Sequence, residues 1–342
     1  MKSITLGSTG ITAPQNGFGC LPIQRDDVET AAKIVRKAYE GGMRFFDTAR
    51  AYTDSEIKVG IALEGIDRSS YYLATKTEER TVEGFWKELH ESLTNLKTDY
   101  VDIYQLHMVD KCYKPNDGTG LYEAMLQAKQ QGLIRHIGIT THKCGVAKEI
   151  IESGLYETLQ YPLSYLAGDI ELELIEGCKK ANMGFIAMKG LAGGLLTNSK
   201  ACFAYMSQFD NVMPIWGIQR ETELNEWLSF FDEPAILDDE MIALIENDKK
   251  QLGSDFCRGC NYCAPCSVDI KIFSCARMSQ MIRRSPSASW LSPEWQAEMN
   301  KINDCIECGA CMSRCPYGLN IPSLLRKNLE DYNKIISGEI KI

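Results

Sequence analysis

Short apolar runs alternate with amphipathic stretches through residues 1–230. The runs that read as strands are NGFGC (16–20), MRFFDT (43–48), YYLATK (71–76), VDIYQLH (101–107), IRHIGIT (134–140), TLQYP (158–162), GFIAMK (184–189) and NVMPIWGI (211–218). Between them lie stretches with helical periodicity: Asp27–Glu40, Val82–Leu96, Leu121–Gln131, Gly145–Glu152 and Glu171–Ala181. Gly132 supplies a stop signal for the third. Eight strands alternating with helices predict an α/β fold, a parallel sheet closed into a (β/α)8 TIM barrel. An open doubly wound sheet is the competing architecture. It would want a GxGxxG turn after the first strand, and GFGC followed by Leu21-Pro22 does not supply one.

The rhythm changes after the eighth run. Glu221–Phe231 reads as a helix, and a turn at Pro234 leads into a further helical stretch. From 256 to 320 the pattern is loop-like with short helices. SPSASWLSP (285–293) reads as a loop, and Ser323–Ile336 as a closing helix. The chain thus divides into a barrel (1–235), a linker helix (236–255) and a C-terminal domain (256–342).

The 342 residues are 44% hydrophobic and 24% charged, an ordinary globular mix. The net charge is −9 with no basic stripe, which argues against nucleic acid or an anionic membrane as partner. No apolar run approaches membrane-spanning length, and the first 19 residues carry no secretory h-region. The expectation is a cytoplasmic protein.

Fourteen cysteines change the picture. Cys20, Cys112, Cys144, Cys178 and Cys202 are scattered and read as buried apolar residues. The other nine lie between Cys257 and Cys315, and a disulfide framework explains such crowding poorly in a chain of this length. Two motifs stand out: Cys257-x2-Cys260-x2-Cys263-x2-Cys266 and Cys305-x2-Cys308-x2-Cys311-x3-Cys315-Pro316. The second fits the bacterial ferredoxin run, in which three close cysteines hold one cluster and the fourth reaches the other. The first is one residue shorter and has Ser267 where proline is usual, but it resembles the same pattern. The resemblance implies a small ferredoxin-like α+β module with two 4Fe-4S clusters. One would be held by Cys257, Cys260, Cys263 and Cys315, the other by Cys305, Cys308, Cys311 and Cys266. Cys275 is left as a spare core thiol or a substitute for Cys266. Zinc is the alternative metal, since paired CxxC motifs also bind it.

Asp47, Lys76 and His107 stand at the ends of three successive strand candidates, and Tyr52 follows Asp47 in the next loop. Barrel active sites are built from strand ends on one face, so these four can converge. A lysine ammonium beside a phenol stabilises the phenolate and is expected to lower its pKa. An aspartate keeps that lysine charged and aimed. Tyr52 could then pass a proton to an oxygen, with His107 donating a hydrogen bond to the same atom. Taken singly, each has a plain structural reading: a helix cap, a core aromatic, a surface charge, a satisfied histidine.

The segments FFDTARAY, ATKT and YQLH resemble the catalytic tetrad segments of the aldo-keto reductase superfamily, over residues 4–230. The resemblance implies hydride transfer between a nicotinamide cofactor, NADP(H) or NAD(H), and a small carbonyl or alcohol. It makes Tyr52 the acid/base, with Lys76 and Asp47 tuning it and His107 orienting the substrate oxygen. It also implies cofactor contacts. Gly19 and Cys20 end the first strand. Thr141-His142 stands where the family has Ser-Asn, while Gln160 matches the family's glutamine. Met188-Lys189 replaces the aromatic that stacks on the nicotinamide, and Gly193 would lie against the pyrophosphate. Gly217 and Glu223 occupy the places of two cations, with Gln219 nearby, and Glu226 would meet the adenine amino group. These departures leave the choice between the two nicotinamides open. Clusters would relay electrons, with a one-electron carrier such as ferredoxin or flavodoxin as partner. A reductase with purely structural clusters, and a redox-sensing nicotinamide-binding protein, are the rival functions.

Overall fold

The computed structural model describes residues 1–252, 256–284 and 288–341. Positions 253–255 of the expected linker, 285–287 of the expected loop and position 342 lie outside the described residues. The chain opens with an antiparallel hairpin, β1 (Ser3–Thr5) and β2 (Thr12–Pro14). Eight parallel strands then close a barrel: β3 (Gly17–Gly19), β4 (Phe45–Asp47), β5 (Tyr72–Thr77), β6 (Val101–Leu106), β7 (Ile134–Thr140), β8 (Thr158–Pro162), β9 (Gly184–Met188) and β10 (Val212–Gly217). Each pairs with the next and β10 returns to β3. Every expected strand is present. Helices cover the outer face, so these strands read as continuous apolar runs; all six residues of β6 are buried.

The hairpin was not anticipated, because arms of three residues are too short to show a period. It nevertheless has a clear packing role. Ile4, Leu6, Ile11 and Ala13 pack with Phe45, Ile103, Ile186, Met213 and Ile215 of the barrel interior. Burying side chains of this size contributes about 1.5–3 kcal/mol each. Gly7 bridges Met183, just ahead of β9. The hairpin therefore fills the N-terminal end of the barrel and leaves the C-terminal end for chemistry.

The intervening helices are α1 (Val28–Glu40), α2 (Ser55–Leu63), α3 (Val82–Asn95), α4 (Leu121–Gln130), α5 (Cys144–Ser153), α6 (Asp169–Lys180), α7 (Ser199–Ser207) and α8 (Glu221–Ser229). Side-chain caps start three of them: Asp27 accepts from the Thr30 N–H, Thr81 from the Gly84 N–H and Asn198 from the Ala201 N–H. Sequence reasoning missed α2 and α7. In α2 the polar Ser55, Glu56 and Lys58 are buried, which scrambles the amphipathic signal. The Lys58 ammonium is satisfied by the carbonyls of Ile23 and Asp26 and by the Asp54 carboxylate.

The chain forms two compact units, Met1–Gly190 with Cys202–Leu237, and Leu191–Ala201 with Asp238–Ile342. The stretch read as a linker is mostly α9 (Asp239–Leu252), which belongs to the second unit. So does the segment that follows β9. The rest of that unit contains α10 (Ile272–Cys275), α11 (Met278–Arg284), α12 (Pro293–Asn300), α13 (Ala310–Ser313) and α14 (Ile321–Ile336). Its described residues form helices and no strand. Asn320 caps α14 and Pro322 occupies its first turn. The helix buries Leu325, Leu329, Tyr332 and Ile335 against Ile272, Met278, Ile282 and Met299. Asn328 ties it down, accepting from the Ser279 N–H and donating to the Ala276 carbonyl. Among the described residues no helix is long and apolar enough to cross a membrane.

Candidate active site and cluster sites

Asp47 ends β4, Lys76 lies near the end of β5, and His107 follows β6. The Lys76 Nζ donates to Asp47 Oδ1 at 2.6 Å and to the Thr48 carbonyl at 2.6 Å, with both side chains almost wholly buried. A buried ion pair persists only when its remaining valences are met. Here Asp47 also accepts from Gln105 Nε2 at 3.3 Å and from Gln160 Nε2 at 3.4 Å, and Gln105 Nε2 donates to Gln160 Oε1 at 2.9 Å. Tyr52, half-buried, places its ring 5.1 Å from the Lys76 Nζ. That ring stands edge-on to His107, with centroids 5.8 Å apart. The four expected residues are brought together.

Their electrostatics follow from burial. Desolvation pushes the Tyr52 phenol up, Lys76 pulls it down, and Asp47 pushes it up again; the net is above its ordinary 10.0. This corrects the expectation of a lowered phenol pKa, because burial opposes the phenolate and the aspartate that holds the lysine opposes it as well. Burial works against the Lys76 ammonium, but Asp47 outweighs it and keeps the lysine pKa raised. Burial, Lys76 and Arg80 hold the His107 imidazole well below 6.5, so it is neutral at physiological pH. Its Nδ1 is buried without a hydrogen bond, with Glu78 Oε1 3.5 Å away.

Gln105 and Arg80 were missed. Gln105 pairs in register with Lys76 and lies two residues before His107, hence on the same strand face. A lone amide between Tyr104 and Leu106 was the available signal. Arg80 donates to the His107 carbonyl, from a loop with no pattern to single it out.

The expected cofactor positions divide. Gly19 pairs with Asp47 and with Gly217, and the Cys20 N–H donates to the Asp47 carbonyl at 2.8 Å, so these three share the rim of the tetrad. His142 is buried after β7, its imidazole pushed down by burial, Lys189 and His107. Met188 ends β9, and Lys189 follows with φ of 60°. Thr141 is engaged within the chain, donating to the Val109 carbonyl at 2.9 Å. Gln160 and Glu223 have partners within the chain. Gln160 spends its amide on Gln105 and Asp47. The Glu223 carboxylate accepts from the N–H groups of Gln219 and Arg220 at 2.9 and 3.0 Å, closing the start of α8. The Gln219 side chain donates to Asp26, Glu226 is exposed on α8, and Gly193 falls in the second unit.

In that second unit the thiols gather into two sets. One cavity, about 280 Å³ of open space, is lined by Cys257, Cys260, Cys263 and Cys315. Another, about 380 Å³, is lined by Cys305, Cys308, Cys311 and Cys266. Cys275 lines neither and lies in the core. Burial raises the Cys257 and Cys263 thiols, the latter to about 12, and neighbouring cysteines add to both. Four thiols converging on a cavity suit an electropositive group between them. Among the described residues no group of three His, Cys, Asp or Glu side chains is arranged for a single metal ion.

Comparison with known proteins agrees with this geometry. Residues 256–320 match the 4Fe-4S dicluster domain. L-galactose dehydrogenase of Arabidopsis thaliana is 33% identical over 56% of this chain and 66% of its own length. Methylglyoxal reductase of Salmonella typhimurium is 39% identical over 38% of this chain and 48% of its own. The chain thus spans from just under half to about two thirds of the length of these curated relatives. An aldo-keto reductase from Bacillus halodurans, in its holo form, shares the fold with a TM-score of 0.63 at 23% identity, over 72% of this chain and 96% of that one. Residues 10–214 match the Aldo/keto reductase family, and the chain belongs to it.

Proposed function

We propose that the protein interconverts a small carbonyl and its alcohol by hydride transfer with a nicotinamide cofactor. The buried Lys76–Asp47 pair set against the Tyr52 ring carries this reading. A nicotinamide bound at the rim formed by Gly19, Cys20 and Gly217 would supply the hydride or accept it. The chain's own residues handle the proton. The Tyr52 hydroxyl donates to the carbonyl oxygen, and its raised pKa keeps it protonated beforehand. The phenolate left behind faces the Lys76 ammonium, which Asp47 holds in place. Neutral His107 donates a hydrogen bond to the same oxygen. Gln105 and Gln160 position Asp47. Tyr52→Phe keeps the ring and removes the proton; reduction should fall by about 10²–10⁴ with cofactor binding nearly unchanged.

The two cysteine cavities are proposed to hold one 4Fe-4S cluster each. Protein purified without oxygen should then contain about eight iron and eight sulfide per chain. The clusters would pass single electrons to a carrier such as ferredoxin or flavodoxin. Cluster chemistry of this kind suits the reducing cytoplasm. The segment 217–226 offers a 2′-phosphate only one cation, Arg220, among Glu221, Glu223 and Glu226. NAD(H) is the cofactor this balance favours.

A further inference from the structure

The two cysteine sets differ in surroundings. Cys257 and Cys263 are 6% and 7% exposed, whereas Cys308 is exposed and its loop presents Ile306 at 65% and Met312 at 41%. Each cluster that accepts an electron gains one negative charge, with no bond made or broken. Burial disfavours that charge. On burial alone the Cys257 set would be the harder one to reduce.

Arg277 stands against that tendency. Its Nε is buried and has no hydrogen-bond partner. Its Nη1 reaches only the carbonyls of Ala192 and Gly193, at 3.5 and 3.4 Å. Among the described residues no carboxylate pairs with it, so its charge is not neutralised locally. Two glycines make its seat. A Cβ on Gly193 would lie 2.4 Å from Nη1, and one on Gly259 would lie 2.9 Å from Cζ. Both have positive φ, +69° and +65°. Gly259 is in the loop between Cys257 and Cys260, and its N–H points at Cys257 Sγ, 3.4 Å away. The Cys257 thiolate is opposed by burial and favoured by this N–H and by the Arg277 charge. Among the described residues the other set has no equivalent. Arg314 gives its donors to the carbonyls of Ala310, Ala264 and Pro265, and Glu307 is paired with Arg326.

We propose that Arg277 is a potential-setting residue: its half-buried guanidinium, which no carboxylate among the described residues neutralises, raises the reduction potential of the cluster at Cys257, Cys260, Cys263 and Cys315. The electron entering at the exposed Cys308 edge can then be received by the buried cluster. Charge, hydrogen bonding and solvent exposure around the sulfurs set cluster potentials, and Arg277 acts through the first. The proposal rests on the two-cluster reading, so iron and sulfide are counted first in every sample. Fewer than two clusters' worth in the wild type defeats that reading and not this one.

The test is a dithionite titration of the holoprotein followed by electron paramagnetic resonance. Cys308→Ser, which perturbs only the other set, assigns the two signals. In Arg277→Gln the midpoint of the Cys257-set cluster should fall by at least the equivalent of a tenfold change in its reduced-to-oxidised ratio, ~59 mV for one electron. The other midpoint should stay in place. Arg277→Lys, which keeps the charge, should recover most of the shift. Gly193→Ala displaces the guanidinium without removing it, and should move the same midpoint in the same direction by less. It keeps the test decisive if Arg277→Gln fails to assemble clusters. Unmoved midpoints in a fully loaded Arg277→Gln or Gly193→Ala protein, or equal shifts of both clusters, would overturn the proposal.

Discussion

The barrel and the cysteine unit solve the same problem, burying charge, in opposite ways. In the barrel the Lys76 ammonium meets the Asp47 carboxylate at 2.6 Å, and two amides complete the aspartate's bonding. That site is complete before any ligand arrives. In the second unit eight thiols line two cavities, and burial and mutual repulsion raise the thiols of Cys257 and Cys263. Two of those cysteines, Cys257 and Cys263, are members of the unit's own hydrophobic cluster. The barrel site is organised by its own side chains, whereas the cysteines of the second unit line open cavities.

Removing the metal should break this comparison most sharply. Chelation under mild denaturant, or Cys260→Ser with Cys308→Ser, should abolish the folding transition of the second unit outright and leave that of the barrel. Two-probe unfolding, with hydrogen exchange on β5–β6 and on α14, reads the two separately. Equal loss of protection in both would mean that the barrel depends on the metal as well.

Lys76→Met comes next in size. It leaves the Asp47 carboxylate buried without its partner, and should cost the barrel about 3–5 kcal/mol in urea unfolding. Replacing both, as Asp47→Leu with Lys76→Met, should restore much of that loss while activity stays abolished. If the single change were neutral, the pair would not be the buried charge centre described above.

Both sites were legible in the sequence for different reasons. The tetrad could be read because one βα unit separates Asp47, Lys76 and His107, parallel strands bring equivalent ends to one face, and Tyr52 follows Asp47 in the same loop. The thiols could be read because their spacing is set by the geometry of what they surround. Gln105 was hidden because a single amide in VDIYQLH leaves no period. The capping role of Glu223 was not read, although a carboxylate three residues into a helix is a common partner for the free N–H groups at its start. The hairpin Ser3–Pro14 was too short to show alternation, and α2 conceals its buried Lys58 and Glu56 in a polar pattern. The segment Leu191–Ala201 follows a barrel strand in sequence but belongs to the second unit, and only the contacts reveal that.

Cofactor choice sharpens the barrel side. With one cation among three carboxylates in 217–226, kcat/KM for NADH should exceed that for NADPH by about tenfold, near 1.4 kcal/mol. Equal use of both would show that the 2′-phosphate is held elsewhere.

The smallest effect concerns pH. Burial raises the Glu157 carboxyl, but hydrogen bonds from His136, Lys129 and the Ile137 N–H outweigh it and hold the pKa at about 2. A depressed folded-state pKa stabilises above the ordinary value of 4.5, and the contribution is lost as pH falls through about 2. Wild type should therefore exceed Glu157→Gln in stability at neutral pH, and the gap should close on acidification through that window. A gap independent of pH would assign Glu157 a packing role alone.

The most direct test of the central claim is a single turnover. Reduced nicotinamide bound to the protein is mixed with a carbonyl substrate, and its oxidation is followed in wild type and in Tyr52→Phe. The proton donor at Tyr52 predicts a rate lower by about 10²–10⁴ in the variant at unchanged cofactor affinity. Because Tyr52 titrates above 10.0 and His107 well below 6.5, the wild-type rate should be flat between these values. Near wild-type turnover by Tyr52→Phe, or an inflection close to 6.5, would contradict the account.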